Sequence, residues 1–459
     1  MNPKEKETNI VVWSGTWVAG RLGVELVGDA QLPELLGLAL RRNPKRAHLL
    51  VSNVLGKHVP QRPSVVRAAG HDLGVRVREL LGDDQARRAV VLGYAETATG
   101  LGHCVADGVG LAPYLHSTRR PVDGVAQAGG FEESHSHATS HLLLPESPEL
   151  LAGDGPLILV DDEFSTGNTV LNTIRALHER YPRDRYVIVA LVDMRSPQDR
   201  DRLTDFAQEI GARVDLVATA AGTVRLPDGV LERGQALVAE HEAAASSSAP
   251  GVEGAAAAGA IASGVSGAGA LAAAPRPACA SVTRVDLSWP EGVPDGGRHG
   301  FTPADRVVLE RAVPTMAARL ADAVPADVRR VLVLGFEELM YAPLRLAAGL
   351  DDRLAAEVRY STTTRSPVLP VDDPGYAIRS RITFPAHDNP ADGPGTRYAY
   401  NVAGGGFDTI VAVVDSTADT PELHAPDGLL ARLAEHAERV VLAVVPSYVP
   451  GRLPPYVPQ

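Results

Sequence analysis

Short apolar, β-branched runs recur through the first half of the chain with helical stretches between them, and this alternation limits the possible folds more than any other feature. The runs HLLVSNV (48–54), AVVLGYA (89–95), PLILVDD (156–162) and RYVIVALVDM (185–194) read as buried strands. The stretch after Thr169 and the one from Arg200 to Ile210 read as helices. Strands buried on both faces need helices on both sides, so the expected class is α/β, a parallel sheet flanked by helices. Ligands of such open sheets bind beyond the carboxyl ends of the strands, which singles out the loops that follow these runs.

At 459 residues the chain is longer than one hydrophobic core usually serves, and two units are expected. The break between them is compositional: over 242–280 Ala, Gly and Ser dominate and no hydrophobic period persists, as in a flexible linker. The chain divides into a unit at 1–241, a linker at 242–280 and a second α/β unit at 281–459. A net charge of -12 argues against a broad nucleic-acid surface, which would need clustered Lys and Arg. Cys104 and Cys279 match no metal spacing and fit a reducing compartment. The charged start MNPKEKETNI lacks a signal-peptide core, and no apolar run reaches the roughly 20 residues of a membrane span, so a cytoplasmic protein is expected.

The strongest local signal is the run from Leu157 to Thr169, an apolar strand ending in Asp161 and Asp162 and passing through Ser165, Thr166, Gly167, Asn168 and Thr169 into a helix. Adjacent carboxylates at a strand end can accept hydrogen bonds from vicinal ribose hydroxyls. The small-residue turn lets backbone N–H groups wrap a phosphate, and the helix amino end adds its positive pole. An acid pair alone also fits a magnesium site or a solvated turn, but neither explains Thr-Gly-Asn-Thr, and a Walker A loop is excluded because its Gly-Lys pair is missing.

This segment resembles the motif of type I phosphoribosyltransferases that binds phosphoribosyl diphosphate (PRPP), and the order of the first unit resembles orotate phosphoribosyltransferase. The resemblance implies that Asp161 and Asp162 hold the ribose and that Ser165–Thr169 hold the 5-phosphate. It assigns Gly93–Ala106, with Thr99, Gly100 and Gly102, to the diphosphate loop, and Arg119 and Arg120 to the diphosphate itself. Lys57, the last lysine of the chain, is a further candidate for phosphate, with a solvated surface lysine as the alternative. Where the orotate enzyme has a lysine-bearing hood, this chain has a Gly-led loop with His135, His137 and His141. That loop reads as a lid over PRPP, as a transition-metal triplet or as an exposed polar loop. The resemblance further implies Mg2+ as cofactor, carried with PRPP, a nitrogenous base or nucleotide-like compound as second substrate, and a possible homodimer.

The second unit repeats the order of the first: 331–350 parallels 89–109, YSTTTRSPV (360–368) parallels YLHSTRRPV (114–122), and 407–419 parallels 156–168. Internal duplication and the general likeness of any two α/β units both account for this. Thr364-Arg365-Ser366-Pro367 resembles the signature of the TRSP domain, found after a phosphoribosyltransferase in proteins of bacterial tellurite-resistance and stress gene clusters. Only Asp415 of an acid pair survives there, so a working PRPP site is not expected, although Glu337, Glu338, Arg345 and Arg365 are candidates for a second ligand site. The expected activity is phosphoribosyl transfer to or from an unidentified base; the alternative is a PRPP-sensing regulator without catalysis.

Overall fold

The structure, a computed structural model, describes residues 12–43, 46–122, 125, 127, 129–132, 140–247, 281–388 and 395–451. In chain order the first unit contains α1 (Thr16–Leu22), β1 (Glu25–Gly28), α2 (Leu32–Leu35), β2 (Leu36–Asn43), β3 (Arg46–Ser52), α3 (Pro63–Leu81), α4 (Asp83–Ala86), β4 (Val90–Gly93), α5 (Thr99–Gly110) and β5 (Tyr114–His116). It continues with β6 (Gly129–Glu132), β7 (Ser140–Leu143), α6 (Glu149–Ala152), β8 (Leu157–Phe164), α7 (Asn168–Arg180), β9 (Arg185–Asp193), α8 (Pro197–Ile210), β10 (Arg213–Arg225) and α9 (Val230–Ser247). The second unit contains β11 (Ser281–Val285), α10 (Pro303–Asp322), β12 (Arg330–Gly335), α11 (Tyr341–Asp351), β13 (Glu357–Thr362), β14 (Arg381–Pro385), β15 (Thr396–Tyr400), β16 (Thr409–Asp415), α12 (Leu429–Ala434) and β17 (Arg439–Val445).

Three of the four apolar runs form the middle of a six-stranded sheet, ordered β1-β10-β9-β8-β4-β5, parallel except for β1. Their uninterrupted apolar character follows from position, since β4 and the first half of β8 are buried on both faces. The run at 48–54 departs from expectation. Its strand, β3, pairs antiparallel with β2 in a separate hairpin, and its half-buried pattern fits one covered face. The assigned linker also begins too early, because α9 continues past 241 to Ser247; Glu242 and the alanines after it are strong helix formers, which outweighs their low sequence complexity.

The second sheet has the order β11-β17-β16-β12-β13 and is wholly parallel. Its β13-β12-β16-β17 repeats β5-β4-β8-β9 of the first sheet. In each unit a helix (α3 or α10) precedes the first of these strands, and an antiparallel hairpin (β6–β7 or β14–β15) lies between the second and third. The recurrence of strand order expected from duplication is therefore present. One continuous core joins the units, running from Leu73, Leu101 and Ile158 of the first to Leu309, Tyr341 and Val411 of the second. No described helix is long and apolar enough to cross a membrane.

Candidate functional site

Both sheets reverse direction of growth between their first and third repeated strands, and the crevice at such a switch point is where ligands enter. In the first unit β4 stops at Gly93, beside Val160, whereas β8 runs on to Phe164 with β9 alone alongside. Asp161, Asp162 and Glu163 lie on this overhang, all half-buried. Strand geometry continues through both acids, yet their carboxyls stay within hydrogen-bonding reach of each other, Asp162 N also donates to Asp161 Oδ1 at 2.9 Å, and alternation puts Glu163 on the face of Asp161.

The turn after the overhang is built for its shape. Gly167 has φ 75°, and a β-carbon there would approach the Phe164 ring to 2.8 Å, so conformation and space both require glycine. Helix α7 starts at Asn168 with no side-chain cap, which leaves its first N–H groups facing the turn. Arg202 braces the turn from α8, donating to the Asn168 side chain at 2.9 Å and to the Thr166 carbonyl at 3.4 Å. Sequence reasoning missed Arg202, since nothing in its local pattern ties it to the turn.

Lost hydration and the negative charge of Asp162 push the Asp161 carboxyl well above its usual range. Burial, with Asp162 again adding, raises Glu163 to about 7, against the opposing pull of Arg46 and Arg41 from the β2–β3 hairpin. The overhang thus holds carboxyls whose charged forms are disfavoured, and a ligand with hydroxyl donors or positive character favours their ionisation. Glu163 was missed as a site residue; the alternation of the strand, which puts it beside Asp161, is the signal that identifies it.

The diphosphate candidates separate. Lys57 is buried at the β4–α5 loop, donating to Thr97 Oγ1 at 2.8 Å and lying 3.5 Å from Glu96, so it sits where expected but with an internal partner. Glu96 is an unforeseen part of that loop. Burial disfavours its charge, and Lys57 and Arg365 outweigh this and hold its carboxyl below the usual range. Thr99 is buried at the start of α5, its hydroxyl donating to the Glu96 carbonyl at 3.3 Å and its carbonyl accepting from Tyr114 at 2.8 Å. The role given to Gly100 and Gly102 is corrected. A β-carbon on Gly100 would meet the Met340 side chain at 2.9 Å, and one on Gly102 the Tyr114 ring at 2.6 Å, so these glycines admit protein neighbours rather than phosphate.

Arg119 is half-buried, its N–H donating to Glu338 at 3.0 Å and its guanidinium 3.5 Å from His141 Nε2. Arg120 is corrected more sharply. It is 5% exposed and its guanidinium points into the second unit, 3.0 Å from Asp415, 3.2 Å from Asp388 and 3.9 Å from Glu337. Three acids far along the chain, invisible to local motif reading, remove it from the diphosphate. Of the lid histidines, His141 is buried against the Ser117 hydroxyl at 2.8 Å, and His135 and His137 lie outside the described residues. Among the described residues no three His, Cys, Asp or Glu side chains converge as metal ligands.

In the second unit Glu337, Arg365 and Arg397 form one cluster, with both arginine Nε atoms 2.5 Å from Glu337, and Glu338 pairs instead with Arg298 at 3.4 Å. Arg345 does not join them; it makes a two-pronged contact with Glu310 of α10 at 2.6 Å. Two clefts, of about 520 Å³ and about 610 Å³, open between α3 and the second unit's α10 and α11, away from the strand ends.

Strand-end acids, a glycine turn and an uncapped helix thus meet at the switch point of this α/β domain. Residues 35–223 match the phosphoribosyl transferase family model, and residues 295–433 match the model of the TRSP domain C-terminal to that transferase, so the chain carries these two domains in that order. Comparison with curated proteins gives no match. Similar solved structures include adenine phosphoribosyltransferases from Giardia lamblia with 9-deazaadenine (17% identity, 41% of this chain and 96% of that one, TM-score 0.30), from Rhodothermus marinus (17%, 41% and 96%, 0.29), and from Trypanosoma brucei with AMP, pyrophosphate and ribose-5-phosphate (13%, 40% and 76%, 0.29).

Proposed function

We propose that the first unit binds PRPP at the β8 overhang and transfers its phosphoribosyl group to a nitrogenous base, or runs that exchange in reverse. The observation that carries this reading is the Asp161–Thr169 segment itself: an acid-rich strand overhang, a turn only glycine can make, and an uncapped helix amino end in one crevice. In the forward direction the bond from ribose C1 to diphosphate breaks, a bond from base nitrogen to C1 forms, and the proton of that nitrogen goes to solvent. The turn and α7 anchor the 5-phosphate, and Asp161 and Asp162 orient the ribose and favour the positive charge that develops at its ring. Lys57 and Arg119 remain the candidates for the leaving group, whereas Arg120, turned into the second unit, is not.

Magnesium suits the oxygen-rich, acid-lined crevice, with Asp161, Asp162 and the substrate's own oxygens as its ligands, and when bound it screens diphosphate charge. A second reading, a PRPP sensor without catalysis, is favoured by the withdrawal of Arg120 and by the pairing of Lys57 with Glu96. Calorimetric titration of PRPP with Mg2+ into the protein and into a folded Asp161→Asn/Asp162→Asn variant tests binding; affinity should fall about 100-fold in the variant. Equal binding by both, or no binding by the unaltered protein, overturns the proposal. Diphosphate release with a panel of bases then separates enzyme from sensor.

A further inference from the structure

The two units meet through reciprocal contacts, each made twice with equivalent residues exchanged, which is the signature of an isologous interface. Gln61, just before α3, pairs as a β-bridge with Tyr360 of β13; Phe301, just before α10, pairs in the same way with Tyr114 of β5. Thr118 donates to Glu338 at 2.7 Å, and Thr364 in turn hydrogen-bonds Glu96.

The loops after β5 and β13 match bond for bond. Ser117 N donates to the Gly93 carbonyl at 2.9 Å, as Thr363 N does to Gly335 at 3.0 Å. The Ser117 hydroxyl accepts from Ala95 N at 3.0 Å, as that of Thr363 does from Glu337 N at 3.2 Å. Thr118 bridges Leu142 as Thr364 bridges Tyr398. Arg120 N donates to Thr118 Oγ1 at 3.1 Å, as Ser366 N does to Thr364 Oγ1 at 3.2 Å. Position 120 of one unit is therefore position 366 of the other.

The strand acids can be matched by register. Val160 lies beside Gly93, and the pairing of Leu334 with Ala412 puts Val413 beside Gly335, so Asp415 is the counterpart of Asp162. Arg120 crosses from the first unit and seats its guanidinium on Asp415, which is 1% exposed, whereas Asp162 is half-buried. The residue that would cross the other way is Ser366, too short to reach.

We propose that the chain is a fused pseudo-dimer with one crevice plugged and one open: Arg120 fills the second unit's crevice, and Ser366, within the TRSP signature, keeps the first unit's crevice accessible to its phosphorylated sugar ligand. The identity of that ligand rests on the function proposed above; the geometry of the plug does not.

A ligand-free double-mutant cycle tests the geometry first. Ser366→Arg should stabilise the protein against urea in a manner that depends on Asp162, so that its effect and that of Asp162→Asn couple by about tenfold or more in the unfolding equilibrium. Additive effects overturn the proposal; should Ser366→Arg not fold, Ser366→Lys completes the same cycle, and additivity there overturns the proposal equally. PRPP titration with Mg2+ is the second arm. Where the unaltered protein binds, Ser366→Arg should bind at least about tenfold more weakly and Ser366→Ala within about twofold, and undiminished binding by Ser366→Arg overturns the proposal. Where the unaltered protein does not bind PRPP, the functional reading fails and the cycle alone decides the plug.

Discussion

In the first unit the acid-bearing strand runs into a turn and a 13-residue helix whose amino end no side chain caps. In the second, the equivalent strand ends on Asp415, whose carboxylate accepts from Thr417 Oγ1 at 2.7 Å and Ala418 N at 3.0 Å as well as pairing with Arg120. The backbones share an order of strands, so the difference lies in where the polar groups find partners. Burial works against charge on Asp415, but Arg120 and Arg298 outweigh it and hold its carboxyl below the usual range. Burial and Asp162 drive Asp161 the other way. A fold positions a crevice, and the supply of internal counter-charge decides whether that crevice has anything left to offer a ligand.

The sharpest way to break this contrast is Arg120→Ala. Removing the cation takes one partner from each of three buried acids, and unfolding in urea should show a loss of about 3–5 kcal/mol, against less than about 0.5 kcal/mol for Asp162→Asn; similar values would mean the two crevices are not distinct. Gly167→Ala should cost about 2 kcal/mol through its positive φ and the Phe164 ring, and it should weaken PRPP binding further. The pH dependence comes next. Because the Glu163 pKa is about 7 in the folded protein and ordinary when unfolded, the folded state holds the extra proton, and the stability this contributes is complete below about pH 4.5 and lost as pH rises through about 7. Glu163→Gln should flatten the fall in stability between pH 5 and 8 by about 1–2 kcal/mol, and an unchanged slope would place the titration elsewhere. The smallest effect tests the symmetry of the interface: Thr118→Val and Thr364→Val should each cost about 1 kcal/mol, with neither much above the other.

How much was legible in the sequence follows from how far apart the interacting residues lie. The PRPP-like motif is contiguous, so strand, acids, glycine turn and helix could all be read from Leu157–Thr169. The α/β class was legible because burial on both faces imposes uninterrupted apolar runs, as in β8 and β9. The roles of Arg120 and Gly100 were not legible, because their surroundings come from Asp415 and Met340, more than 200 positions away. His48–Val54 misled for a related reason: a hairpin strand with one covered face and a short sheet strand can share the same composition, and only pairing tells them apart. The duplication was visible as an order of weak matches, but the exchange of bridges that gives it meaning needs three dimensions.

That exchange has a consequence for solubility. β5 and β13 are the outermost strands of their sheets, and an exposed outer strand is a template on which other chains aggregate. Phe301 covers part of β5 and Gln61 part of β13, each contributed by the opposite unit. A fragment ending at Ser247 would bare the edge at Tyr114 that the intact chain keeps occupied, so the second unit also covers a place where copies of the first could pair edge to edge.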